Sequence, residues 1–432
     1  MFAASPGRLK RSHAPSGSRR GVAAVALLLG LGVLVALTAL VVNLAWLTCH
    51  QVRLRAASQA AALAGAAELL DPSLPGAGSA SGTAVAPGAA VAPGAAVADV
   101  VDPATAARIA LAAQQATAFA ARNGVTLRTT SGGAAAGAAD EDVVAGWVED
   151  PASPTDALSA WTGAGPVNSL LVRAVRRRSS GDAVTLWLGR LFGLTTAEPA
   201  AAARASIDQR VYGFRPAGHV RVPLVPLLVS SRIRWPCGAP VAPVDAEDHF
   251  GVDPRTGEVR PGADGIGEIT LRSGPTGDAA ALSENATGEN ASWLCLAGGT
   301  ANFAPWSDQI TQGLTLRDLE PLGGMFALGD DGRLLLGTPL AADGGQLAGL
   351  QQALWAIRGQ ERIWPVGTWL RQGNHTICQV EGFVAGRVLD CRQETDSRLT
   401  IVVQSCSLQT CTALTRSGTA RNPWIGKLIF SE

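Results

Sequence analysis

The sequence predicts an α+β protein: an N-terminal transmembrane helix continuing into an amphipathic helix, then a strand-rich extracytoplasmic region. Three observations predict it. Val22 to Thr48 contain no charged side chain, and about 20 apolar residues suffice to cross a bilayer as a helix. Arg8, Lys10, Arg11, Arg19 and Arg20 precede this run with no Asp or Glu among them, which places the N-terminus in the cytoplasm and the rest outside it. Further on, short stretches of β-branched and aromatic residues are bounded by Gly, Pro, Asp and Ser, the pattern of strands and turns.

Taken in order, residues 1–21 form a basic cytoplasmic tail and residues 22–48 the transmembrane helix. A secretory signal has an apolar core of about 7–15 residues. This run is about twice as long, so a retained anchor is expected. Cys49 follows Trp46, Leu47 and Thr48. It lacks the small preceding residue of a lipid-attachment site and reads as a small apolar residue at the interface. Residues 49–71 form the helical extension, with Val52, Ala56, Ala60, Leu63, Ala67 and Leu70 at helical spacing. Asp71-Pro72 stops it. Within the span Asn43 is costly unless paired. Asn43, Gln51, Val52, Ala56, Ala60 and Leu63 are therefore the candidate helix-interface residues.

Residues 72–101 are an Ala/Pro/Gly linker in which AVAPGA occurs in tandem, at Ala84–Ala89 and Ala90–Ala95; nothing in it can build a core. Residues 102–220 are an α+β ectodomain. Its helix begins at Asp102-Pro103, ends before Gly124 and turns Ile109, Ala112, Ala116 and Phe119 inward. Strands follow in VVAGWV, NSLLVRAVRR and AVTLWLG, and RASIDQRVYGF alternates well enough for another. Residues 221–432 form a cysteine-containing β-rich domain. There, DPRTGEVRPGADGIGEITL predicts hairpin turns feeding a strand, FALGDDGRLLLG a hairpin around Asp331-Gly332, and RLTIVVQSC a buried strand. A helix carries Leu347, Leu350, Leu354 and Ile357 as its stripe, with Asp343 and Gln346 as a capping box.

Little chemistry is written in the motifs. Formal net charge is zero, so global charge gives no reason to expect a nucleic-acid partner. HExxH, GxSxG and P-loop patterns do not occur. No catalytic residue, metal ligand or cofactor is predicted. The acidic stretch Asp245, Glu247, Asp248, Asp253, Glu258, Asp264 and Glu268 matches no calcium loop and reads as turn-forming acids. Six cysteines, Cys237, Cys295, Cys378, Cys391, Cys406 and Cys411, lie on one side of the span. They are candidates for disulfides in an oxidising compartment. The rival functions are a membrane-anchored hydrolase and a ligand- or glycan-binding module, the latter suggested by the tryptophans, which are more simply core residues.

RRGVAAVALLLGLGVLVALTALVVNLAWLTCHQVRLRAASQAAALAGAAEL (Arg19–Leu69) resembles the N-terminal segment of TadG-like proteins of the bacterial Flp, or tight-adherence, pilus-assembly system. The matching features are Arg19-Arg20-Gly21, the long apolar helix, a polar residue near its outer end (Asn43, often Asp in the family) and Ala61–Ala66. AQQATAFAARN, NSLLVRAVRR, LWLGRLFGL and RVYGFRP also resemble members with a plain ectodomain. The resemblance implies a structural or assembly role in the cytoplasmic membrane, with partners among pilus-assembly components or in a second copy through the N-terminal helix. Two departures limit it. No glutamate follows Gly21, so prepilin-type processing is not expected, and no DxSxS motif marks a von Willebrand A domain.

Overall fold

The computed structural model describes residues 18–70, 103–129, 141–153, 155–162, 166–187, 189, 193–233, 235, 248–253, 255–273, 289–296, 304–337, 344–372, 375–394 and 398–431. The linker 72–101, residues 1–17 of the basic tail, Asp102, Asp343 and Cys237 lie outside them. The chain divides into two compact units. One joins the chain up to Arg55 with Val175–Ala201; the other joins Ala56–Ala174 with Ala202–Glu432.

Helix α1 runs without a break over Ser18–Ala67 and closes in the 3-10 turn Glu68–Leu70. In the first unit it is accompanied by a short antiparallel hairpin, Val184–Thr185 with Thr196–Ala197.

In the second unit the last turns of α1 meet α2, Pro103–Arg122. The buried stripe of α1 is Leu54, Ala57, Ser58, Ala61, Ala62, Gly65, Ala66 and Leu69. Of the residues at helical spacing, Val52 and Ala56 are exposed, Ala60, Leu63 and Ala67 half-buried, and Leu70 buried. In so alanine-rich a helix, hydrophobicity does not distinguish the faces. Close approach does, because it selects the smallest side chains. Gly65 shows this directly, since a Cβ there would run into Leu170, the Ala112 carbonyl and Ala116. On α2, Ala112, Ala116 and Ala120 are buried and Ile109 and Phe119 half-buried.

The end of α1 rests on a six-stranded sheet. Its order is Leu408–Gln409, Ile425–Ser431, Ala200–Asp208, Ser169–Val175, Val143–Trp147, Ser159–Ala160. Gly426 lies so close to Leu70 and Ile207 that a Cβ would touch both. The Gln409 amide donates to the Ala67 carbonyl at 2.6 Å, satisfying one of the acceptors a helix end leaves open. The C-terminal strand pairs antiparallel with Ala200–Asp208, Lys427 opposite Asp208, so this sheet draws strands from both sides of residue 220. RASIDQRVYGF forms strands Ala200–Asp208 and Val211–Phe214. In Ser169–Val175, Leu170, Val172 and Ala174 turn inward and Arg173 outward, as the alternation predicts.

The larger sheet closes on itself. His375–Gln393 pairs with Glu361–Gln372 on one side and Leu399–Ser405 on the other. Between these run Leu227–Ser230, Ala291–Trp293 and Glu268–Ser273. The ring removes the open edges that a flat sheet would leave. Leu334–Gly337 adds outside it, against His375–Gln393. The register slips at Val366/Gly367, where a side chain on Gly367 would strike the Gln379 carbonyl.

Alternate residues of the ring feed two cores. Leu227, Val229, Trp364, Val388 and Ile401 join one with helices α3, Ala304–Gln312, and α4, Gly344–Ala356. Leu228, Ile363 and Phe383 join the other with Phe214 and Phe326. The stripe Leu347, Leu350, Leu354 and Ile357 is buried as expected, whereas α3 was not foreseen. FALGDDGRLLLG turns at Gly332 with a positive φ of 75°, but its arms do not pair with each other. Phe326–Ala327 joins Val211–Phe214, and Leu334–Gly337 joins the ring.

Candidate functional site

The apolar part of α1 is the feature with the clearest physical consequence. It is the one helix among the described residues that is long and apolar enough to cross a membrane. Between Val25 and Trp46 its large aliphatic side chains, Leu27, Leu28, Leu31, Leu34, Leu37, Leu40, Val41 and Leu44 among them, are exposed, and only a narrow stripe through Ala39 and Asn43 is covered. That stretch measures roughly 32 Å at 1.5 Å per residue, close to the ~30 Å hydrocarbon core of a bilayer. A helix of a soluble core would bury one face.

The interface candidates separate into two groups. Asn43 is covered by its own chain at 8% exposure, as is Ala39 at 0%. Gln51, Val52 and Ala56 are open, and Ala60 and Leu63 half-open. Asn43 has an interaction within the chain.

The cysteines depart from expectation. Among the described residues Cys295, Cys378, Cys391 and Cys406 are buried free thiols and Cys411 an exposed one; Cys49 is also free and exposed. Four of the six disulfide candidates thus pack as small apolar side chains. Burial pushes the thiols of Cys378 and Cys391 up to about 12 and raises that of Cys406 as well. Thiolate chemistry at neutral pH is thereby suppressed.

The described part of the acidic stretch spends its carboxylates on its own backbone. Asp248 accepts the Asp264 and Gly265 N–H groups at 3.0 and 2.8 Å. Glu268 accepts those of His249 and Phe250 at 2.8 and 2.9 Å. Asp253 accepts the Arg255 N–H at 2.8 Å, inside the turn of the hairpin Phe250–Val252 and Val259–Pro261. Burial raises the Glu268 carboxyl above its ordinary range; the two N–H donors oppose this, and negative Asp248 and Asp264 add to it. No group of three or more metal-ligating side chains occurs among the described residues.

Trp235 and Trp306 are buried, the first donating to the Ala385 carbonyl at 3.1 Å, the second stacked on Trp293 with centroids 5.2 Å apart. Trp369 is half-buried against the phenylalanine core. These rings build core.

One charged cluster is enclosed. Arg210 bonds Asp208 at 2.8 Å and Asp150 at 2.6 Å. Asp208 is 1% exposed at its side chain. Burial pushes its carboxyl up, but the hydrogen bonds and charge of Arg210 outweigh this and hold it below its ordinary value. The hydrogen bond from Arg210 likewise lowers Asp150. No motif marks positions 150, 208 and 210; the turn between strands Ala200–Asp208 and Val211–Phe214 brings Arg210 back onto Asp208.

No family model, curated protein or solved structure matches the chain.

Proposed function

We propose that the chain is a single-pass protein of the cytoplasmic membrane. Its N-terminus is in the cytoplasm, and its strand-rich part is periplasmic or extracellular. It serves a structural or assembly role, without catalysis or cofactor, in a Tad/Flp-type pilus or cell-envelope apparatus. The observation that carries the anchor is the exposure of every large aliphatic side chain from Val25 to Leu44, over a length that matches the hydrocarbon core of a bilayer. Retention rather than cleavage is supported by the far end of the same helix. A cut in the second half of RAASQAAALAGA would sever residues of the stripe packed against α2, Ala57, Ala61 and Ala62 among them. The arginines before the span support the orientation. The assembly role rests on the resemblance of Arg19–Leu69 to TadG-like proteins. It also uses the open positions Gln51, Val52 and Ala56, which lie just beyond the span.

A reporter enzyme fused after residue 100 and active only outside the cytoplasm tests the topology; activity inside overturns it. Photo-cross-linking side chains at Gln51, Val52 and Ala56 in living cells test the role. Capture of a pilus-assembly component or of a second copy is expected. Failure to capture either at all three positions, with the chain correctly inserted, removes the helix as an assembly surface.

A further inference from the structure

A second apolar feature lies beside the span. In segment 175–201, Leu186 N–H donates to the Thr195 carbonyl at 3.0 Å and Leu194 N–H to the Gly189 carbonyl at 2.9 Å. These bonds continue the Val184–Thr185 and Thr196–Ala197 hairpin past its paired residues. Val184 and Leu186 are buried. Trp187 and Leu194 are not: at 74% and 60% they are the most exposed large apolar side chains outside α1 among the described residues.

Three observations say what covers them. The Trp187 ring lies against Trp46, with centroids 5.9 Å apart, and Trp46 ends the exposed aliphatic stretch of α1. Ala39, roughly 10 Å nearer the N-terminus along the helix, is fully covered although its neighbours Leu37, Leu40 and Val41 are open. A lone helix cannot hide an alanine, so another part of the chain lies against α1 at that depth. Past Trp46 in the other direction the charge turns positive. Arg53 and Arg176 act electrostatically on His50, which itself meets Trp46 edge-on at 4.7 Å. The sequence along the helix is thus aliphatic, then paired indoles, then guanidinium groups. Indoles favour the interfacial layer of a bilayer and arginines its phosphates.

We propose that the hairpin of Val184–Thr185 and Thr196–Ala197, through Trp187 and Leu194, is a second membrane contact. It seats Trp187 and Leu194 in the interfacial layer at the C-terminal end of the span, beside Trp46, with Arg53 and Arg176 at the level of the lipid phosphates. The occupant of the patch is phospholipid because the patch is continuous with the lipid-exposed face of α1. The proposal rests on α1 crossing the membrane, and its test separates the two.

The full chain, with Cys49, Cys237 and Cys411 changed to Ser, is reconstituted in phosphatidylcholine/phosphatidylglycerol vesicles. A nitroxide is attached in turn at Leu34→Cys, Trp187→Cys, Leu194→Cys and Ser180→Cys, all at exposed positions. Electron-spin saturation compares collisions with oxygen, which enters lipid, and with a water-soluble nickel chelate. Oxygen should dominate at Leu34, and the oxygen-to-nickel ratio at Trp187 and Leu194 should exceed that at Ser180 several-fold. Nickel access at Leu34 would overturn the span and the hairpin contact together. Lipid exposure at Leu34, with Trp187 and Leu194 as nickel-accessible as Ser180, would overturn the hairpin contact alone.

Discussion

At the scale of single residues, the charges that matter are those water cannot reach. Arg210 neutralises Asp208 inside the fold, and removing one partner of a buried pair leaves the other uncompensated. Arg210→Met, which leaves the buried Asp208 carboxylate without its cation, is therefore expected to cost about 3–5 kcal/mol, read by denaturant unfolding of the detergent-solubilised chain. An undisturbed midpoint would show the trio to be ornamental. The pH dependence has a definite sign. Asp208 and Asp150 have lowered pKa values in the fold. Their contribution is complete above the ordinary aspartate value of about 3.9 and is lost as pH falls through the folded values. Glu268 is raised and acts oppositely. Its cost is absent below the ordinary glutamate value of about 4.3 and complete above the raised one. Arg210→Met should flatten the acid limb due to the aspartates while leaving the Glu268 contribution in place. The thiols supply a second check. With Cys378, Cys391 and Cys406 buried and their pKa values raised, a maleimide should modify Cys49 and Cys411 in the native chain. The three buried cysteines should react only after denaturation. Rapid native modification at Cys378 would place it outside the core.

At the scale of elements, helix α1 shows what the sequence can and cannot convey. Its existence and its apolar length were legible because a long run without charge is an unambiguous signal. Which face of the extension packs was not. Alanine occupies eight of the twelve positions from Ala56 to Ala67, so the decisive property is the absence of bulk at Gly65, set by Leu170 and Ala112 far away in the chain. Gly65→Val should destabilise by about 1–3 kcal/mol through overpacking, whereas Ala56→Val, on the exposed side, should stay within about 0.5 kcal/mol. Equal effects at the two positions would contradict the assigned stripe. Helix α3 escaped notice because nine residues ending TQ carry too short an apolar pattern. The Asp331-Gly332 turn was read correctly, but its arms join different sheets, and a local turn carries no information about distant partners. Alternation made Ser169–Val175 visible, but the long pair Glu361–Gln372 and His375–Gln393 was not foreseen. The cluster at Arg210 was not, since it depends on tertiary return of the chain.

At the scale of the whole molecule, the C-terminus completes what the N-terminal half begins. Ile425–Ser431 pairs with Ala200–Asp208, and Gln409 holds the end of α1. A chain ending at Asn422 should therefore lose protease resistance in residues 143–208, well away from the cut, while a chain lacking residues 1–17 should keep it. Resistance retained in the shorter chain would show that the first sheet stands without its last strand. The buried sulfurs carry a consequence in time rather than in space. On the proposed topology, a chain translocated in extended form would meet the oxidants outside the cytoplasm before its ring has closed, with thiols such as Cys378 and Cys391 still open to them. In the finished fold these thiols are unpaired and shielded. Closure of the ring is then a race against oxidation. The yield of correctly folded protein should rise when the host's disulfide-forming catalysts are removed, the reverse of what a disulfide-stapled secreted domain requires.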